Sequence, residues 1–366
     1  ADGRVVLQAP GGQLLTLDSP SGDLRPGDLV ALGEADEIVR VHVHPTGEYA
    51  AGTVPDGRLH RPEMWPRLAA RSRVLSTIRD FFTDEGFLEV DTPTVVTSPG
   101  TEVHLAPTRV HQQPSPGAAL EERFLITSPE HHMKRLLAAG APPIFQLCKT
   151  FRDGERGSLH RPEFTMLEWY RPWATLSAIL ADCEHLLRHL VTGDRLTYQG
   201  QLLELAPPWP RWPFLDLLRD RGGVEAPERL TADEQLAAFV ERVERTLGHT
   251  QPEFVVDYPI SMASLAQPCP HDPSVAERAE LYVAGLEIAN GFGELVDASV
   301  QRSRCTEDNA ERRNRGLPEL PLDEDVEAYV RSVAEDAESD SDLDGIVDLL
   351  AAHGIGTEGS EDIRAE

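Results

Sequence analysis

A chain of 366 residues, 40% hydrophobic and 26% charged, is long enough to bury a large core and more than one domain. No apolar run approaches the ~20 residues that cross a bilayer, and a formal charge of −28 argues against a broad basic surface for nucleic acid. Cys148, Cys183, Cys269 and Cys305 show no zinc-type spacing and no signal-peptide pattern opens the chain, which points to a reducing, cytoplasmic setting.

Residues 1–58 form a small β module by pattern. Short β-prone runs at Val5-Val6-Leu7, Leu14-Leu15-Thr16-Leu17, Leu29-Val30-Ala31-Leu32 and Ile38–Val43 are separated by Gly11-Gly12, residues 19–22 and Pro26-Gly27-Asp28. Strands of this length and number suit an OB-like barrel, and the lack of an aromatic platform favours an accessory role over nucleic-acid binding. His60-Arg61-Pro62 reads as a linker. A helix is expected over 65–86, with Leu68, Leu75, Ile78 and Phe82 on one face and Gly86 as its C-cap. Residues 87–93 read as a strand ended by Pro93, and 124–127 as another. Ser128-Pro129 then introduces a helix over 130–139 carrying Glu130, Lys134 and Arg135.

The stretch FRDGERGSLHRPEFTMLEWYRP, residues 151–172, carries the densest chemistry. Arg152 follows an apolar segment, and its guanidinium fork matches two oxygens of a phosphate or carboxylate. The loop bearing His160 can cover a polyphosphate tail, and Phe164 offers a flat face to a base. Glu168 and Tyr170 are two apart, so on a strand both line one pocket. These parts describe a site for a nucleotide and a small cationic substrate.

Leu176–Leu190 is amphipathic and reads as a surface helix, whereas 207–250 reads as an insertion without recognisable chemistry. A strand is expected over 254–259 with a loop over 261–267. Glu280, Glu287 and Glu294 recur every seven residues in strand-like surroundings broken by Gly285, and Asn290-Gly291 gives a turn signal. Carboxylates at Glu280 and Glu287 suit Mg²⁺ held against phosphates. From Asp323 onward acidic residues dominate, and 336–345 reads as a solvated run.

The central stretch resembles motif 2 of class II aminoacyl-tRNA synthetases of the lysyl type, and GFLEVDTPTVV resembles motif 1. SPEHHMKRLL and GLEIANGFGELVDA are similar to lysyl-branch signatures, so the likeness spans residues 63–322 in the right motif order. Within that branch, FTMLEWYRP, FQLCKTFR, the SLAQ segment and RRNRGLPELPLDE are most similar to the elongation factor P lysine or β-lysine ligases. The resemblance implies an α+β fold, an antiparallel sheet flanked by helices, and a homodimer with motif 1 at its interface. It implies ATP and Mg²⁺, lysine or β-lysine as the activated amino acid, and elongation factor P rather than tRNA as the acceptor. By resemblance, Arg152 bridges α-phosphate and carboxylate, Glu155 and His160 face ATP, and Phe164 stacks on adenine. Glu280 and Glu287 take Mg²⁺; Glu130 receives the near amino group, Glu294 with Tyr170 the distal ammonium, and Glu168 with Asn290 complete the pocket.

Three departures stand out. Gly154 and then Glu155 occupy the Arg-x-Glu start of motif 2, Arg161 replaces an asparagine, and residues 323–366 form an acidic tail in place of the glycine-rich motif 3. The departures leave open a lysine–tRNA ligase or a non-catalytic synthetase-like paralogue beside the elongation factor P ligase.

Overall fold

Residues 4–8, 14–18, 29–32, 38–43, 64–157, 159–191 and 193–323 are described by a computed structural model; the linker at 60–62 and the acidic run from 324 onward lie outside the described residues. The chain divides into two units, Ala1–Asp80 and Phe81–Glu366. In the first, the four expected strands are β1 (Arg4–Gln8), β2 (Leu14–Asp18), β3 (Leu29–Leu32) and β4 (Ile38–Val43). They pair antiparallel as β1 with β2 and β3 with β4, and among the described residues no ladder joins the two pairs into a barrel. Helix α1 (Met64–Asp84) covers the expected span. Its predicted apolar stripe is graded, from Leu68 at 46% exposure to Phe82 fully buried.

Among the described residues the second unit is built in four sheets, one of them β6-β8-β7. Strands β5 (Leu88–Glu89), β6 (Val95–Val96), β7 (Arg109–Gln112) and β8 (Glu121–Leu125) precede helix α2 (Glu130–Ala138). The long antiparallel pair β9 (Ile144–Phe151) and β10 (Glu163–Tyr170) is joined by β5, which runs parallel to β9. The strand expected over 87–93 is therefore reduced to a two-residue ladder, because the prolines and threonines after Glu89 turn the chain away. Within the second unit Phe82 stacks on Phe145 with centroids 4.9 Å apart and leans on Phe87 and Trp169, an aromatic cluster that backs this sheet.

Helix α3 (Leu176–Leu190) buries Leu176, Leu180, Cys183 and Leu186, spaced three or four apart, so its apolar stripe is a core face. That face meets Phe254, Leu281 and Val283. Its buried Asp182 accepts two bonds from Arg171 at 2.7 and 2.8 Å and one from Trp169 Nε1 at 3.2 Å, tying the end of β10 to the helix. Strands β11 (Arg195–Tyr198) and β12 (Gln201–Glu204) form a small ribbon.

Residues 207–250, read as an insertion, contribute to the core. Strand β13 (Arg211–Pro213), helix α4 (Phe214–Asp220) and helix α5 (Ala232–Arg242) contribute Phe214, Leu217, Leu218 and Phe239 to a core shared with Val255, Tyr258 and Tyr282. The prolines of this stretch punctuate short elements, and α5 opens on a Thr231/Glu234 capping box. The largest sheet runs β13, β14 (Glu253–Pro259), β16 (Asp272–Val283), β15 (Pro268–Cys269), with β17 (Leu286–Phe292) also on β16. Asn290 and Gly291 lie inside β17, and the hairpin instead turns at Ala284-Gly285, both at positive φ. A preceding Gly at a left-handed position outcompetes the Asn-Gly signal, since the register pairs Val283 with Leu286. Helix α6 (Ala298–Asn314), capped by Asp297 on the Ser299 and Val300 N–H groups, closes the described chain.

Candidate active site

Two β-bulges decide which side chains meet. Ordinary alternation places Tyr258 on the face of Val256, yet a register shift at Asp257 turns Tyr258 to the face of Val255 and Glu280. A second shift, between Leu281 and Tyr282, leaves Ile288 unpaired. Glu287 and Asn290, three apart, then share the face of Glu280, which pairs directly with Asn290.

On that face Glu280 is buried and accepts three hydrogen bonds. Its Oε2 accepts from the hydroxyls of Tyr258 and Tyr282, each at 2.6 Å, and its Oε1 from Arg278 at 2.6 Å. Arg278 itself is fixed by the Met262 carbonyl and stacks over Tyr258. Glu287 is exposed and lacks such donors: desolvation by its surroundings and the negative charges of Glu280 and Glu244 push its carboxyl up to about 7, against the pull of Arg278 and Arg152. Glu244, just after α5, is raised by burial and by Glu280, and is drawn down by Arg245 and His160. The Arg152 fork and the His160 loop thus face the same acidic patch. Glu280 and Glu287 supply hard carboxylate oxygens of the kind Mg²⁺ takes, Glu287 with no hydrogen-bond donor among the described residues and Glu280 with only its remaining lone pairs. Glu244 adds negative charge nearby without bringing a third ligand atom within 4.8 Å of both.

Arg152 stands at the end of β9. Its backbone N–H bonds the Pro162 carbonyl at 2.9 Å, its Nε the Thr127 carbonyl at 3.3 Å, and its guanidinium lies 5.3 Å from the Phe164 ring centroid. Those contacts leave the fork's outer edge available. Glu155 is half-buried and His160 exposed in the loop that follows. Gly154 sits at φ +80°, a left-handed position that a glutamate would occupy only with strain, and Arg161 staples the loop through the carbonyls of Gly157 and His160. Both departures from motif 2 serve the local turn.

The second cluster lies three residues beyond Thr127, at the start of α2. Lys134 Nζ is 2.6 Å from Glu130 Oε1 and 2.5 Å from Glu294 Oε2, while Tyr170 donates to Glu168 at 2.7 Å. Burial works against the Lys134 ammonium, but Glu130 and Glu294 outweigh it and hold the group firmly protonated. Burial and the neighbouring Glu130 charge push Glu168 up to about 8. Burial likewise lifts Glu294 to about 7 against the pull of Lys134, although a third of its side chain is open to solvent. Tyr170 is raised well above its usual value by burial and by Glu168. Glu130, Glu168, Tyr170 and Glu294 therefore share one acidic recess, and Thr127 links it to Arg152. The sequence reading names Lys134 only as a helix residue and gives neither it nor Glu244 a place in the site. Lys134 is one of only two lysines in the chain and sits one turn after Glu130, which was the available signal. A cavity of about 200 Å³ lies beside this recess, lined by Glu102, His131, Ser264, Arg304 and Asp308 among others, and Glu102 feels the charge of Glu130.

The model of the class II tRNA synthetases (D, K and N) matches residues 57–330. The chain belongs to that family. A relative from Edwardsiella ictaluri is 44% identical over 269 residues, 70% of this chain and 82% of its own, and is named an elongation factor P–(R)-β-lysine ligase. Relatives of the same name from Klebsiella pneumoniae subsp. pneumoniae and Erwinia tasmaniensis are 41% and 40% identical, covering 85% and 82% of their own lengths. This class II synthetase relative thus carries its two carboxylate clusters and Arg152 within the matched span.

Proposed function

We propose that this chain is an ATP-dependent ligase that activates lysine or β-lysine as an adenylate and transfers it to a lysine side chain of elongation factor P. What carries the reading is Arg152 set between two acidic clusters, one suited to phosphate-bound metal and one to an ammonium. The names of the relatives support the acceptor, and the charge of −28 weighs against tRNA.

In this reading the substrate carboxylate oxygen attacks the α-phosphorus of ATP, the bond to pyrophosphate breaks, and a mixed anhydride forms. The acceptor amine then attacks the carbonyl carbon, releases AMP and loses a proton. Arg152 holds the attacking carboxylate and the α-phosphate in one fork and balances charge gathering on the phosphorus oxygens. Phe164 carries the adenine, and Glu155 with His160 closes the phosphate side. Glu280 and Glu287 hold Mg²⁺, which when bound neutralises phosphate charge. Glu130 orients the near amino group, Glu294 with Tyr170 selects the distal ammonium, and Glu168 with Asn290 completes the lining. The active form is a cytoplasmic homodimer.

Lysine- or β-lysine-dependent ATP–pyrophosphate exchange tests the assignment. Exchange together with labelling of elongation factor P supports it, and tRNA charging in its place favours a lysine–tRNA ligase. Lysine binding without exchange favours a non-catalytic paralogue. Arg152→Ala is expected to abolish exchange and leave the circular dichroism spectrum unchanged.

A further inference from the structure

The bulge that turns Tyr258 toward Glu280 has a second feature. Asp257 is a non-glycine residue at φ +52°, a left-handed conformation that is strained for an L-residue. Its side chain meets the β15–β16 hairpin, where the register pairs Cys269 with Asp272 and leaves Pro270-His271 as the turn. One donor atom each from Asp257, Cys269 and His271 lies within 4.8 Å of the other two.

The chemistry of this set is specific. It offers one thiol, one imidazole and one carboxylate, which suits a borderline ion of the zinc type and not a hard ion such as Mg²⁺. Cys269 Sγ is 3.8 Å from Asp257 Oδ1, against the ~3.5 Å sulfur–oxygen separation that tetrahedral bonds of ~2.3 and ~2.0 Å impose. Cys269 is buried, which fixes the sulfur, whereas His271 is exposed in a turn and free to swing in. No hydrogen bond among the described residues engages the His271 ring. The adjacent Asp272 is committed to the Ser274 N–H and hydroxyl. Linear spacing conceals the set, because its third member stands on another strand twelve residues before Cys269.

We propose that Asp257, Cys269 and His271 bind one zinc-class divalent ion, with solvent in a fourth position. The ion clips the β15–β16 hairpin to the β14 bulge and so offsets the strained backbone at Asp257. Through Tyr258 it steadies Glu280 without belonging to the ATP site.

Stripping the full chain with chelator and titrating it with Co²⁺ tests this. One equivalent is expected to give a thiolate-to-cobalt band in the near ultraviolet with visible bands of tetrahedral intensity, all displaced by Zn²⁺. Carboxylates cannot give the thiolate band, so the Glu280 patch cannot mimic it. Cys269→Ser should abolish the band, Cys183→Ser should retain it, and His271→Ala should weaken Zn²⁺ binding at least about 100-fold, since even outer-shell changes cost 10–100-fold. Absence of the band in the unaltered chain, or its survival in Cys269→Ser, overturns the proposal.

Discussion

Lys134→Met removes the ammonium that bridges Glu130 and Glu294, keeps a side chain of similar length, and leaves Glu130, Glu168 and Glu294 facing one another. Deleting one member of a buried ion pair costs about 3–5 kcal/mol, because the partner charge stays behind without compensation. Lys134 and Glu130 have side-chain exposures of 6% and 15%, but Glu294 stands at 32%, so solvent relieves part of that half. The low end, about 3 kcal/mol at pH 8, is expected.

The pH dependence is a stronger constraint. Lys134 is raised above its ordinary value, so its contribution is present throughout pH 5–8 and is lost only at much higher pH. Glu168 and Glu294 are lifted to about 8 and about 7 from 4.5, so the native state binds more protons than the unfolded chain and stability falls as pH climbs through that window. Lys134 lowers both, and helps hold Glu130 below its ordinary value. Its removal raises all three, so the variant's deficit should grow from pH 5 to pH 8. Urea unfolding followed by tryptophan fluorescence at the two pH values measures it. A cost below about 1 kcal/mol at pH 8, the worth of an exposed pair, or a deficit larger at pH 5, refutes the reasoning.

Glu244→Gln removes one of the charges that lift Glu287, so the acid limb of Mg·ATP affinity, expected near pH 7, should move to lower pH; an unmoved limb in the KM profile counts against a cation at Glu287. Tyr258→Phe deletes one of three donors to the buried Glu280 carboxylate and should destabilise the fold by about 1.5–3 kcal/mol in urea, with Tyr282 and Arg278 still holding the group. Glu294→Gln should raise KM for lysine more than for ATP and relax rejection of an uncharged isostere such as norleucine. Equal discrimination by that variant rejects the distal-ammonium role.

Much of the scaffold was legible where one period dominates. Leu176–Leu190 shows a clean helical stripe, and the four strands of the first unit are bounded by glycine and proline clusters. The pairing of Glu168 with Tyr170 followed from strand parity alone. Three features were not legible, each for a tertiary reason. The Asn290-Gly291 signal lost to the Ala284-Gly285 turn because strand register overrides a local preference. Residues 207–250 read as Pro-rich turns and helical segments outside the core because their buried positions fall on short elements, α4 and α5, where periodicity has little room to appear. Lys134 is an ordinary helix residue in sequence, and its importance arises only when β17 delivers Glu294 to it.

The Glu280, Glu287 and Glu294 series shows how parity and bulges combine. Residues seven apart on one uninterrupted strand point to opposite faces, so equal spacing alone does not unite them. Between Glu280 and Glu287 the chain reverses at Ala284-Gly285, and the bulge near Ile288 restores a common face that includes Asn290. Glu294 lies past the end of β17, where it bridges to Ala266 instead, and so leaves the Glu280 patch for the Lys134 recess. A heptad that would be a solvated stripe on a helix therefore becomes two separate acidic sites on a hairpin. Glu287 and Glu294, each lifted to about 7, lack enough positive charge within the protein to stay fully ionised at neutral pH. A cation arriving at either site recovers free energy that the resting fold forgoes. The two sites differ in their neighbours: Glu287 feels the charge of Arg152, whereas Glu294 lies with Lys134, Glu168 and Tyr170.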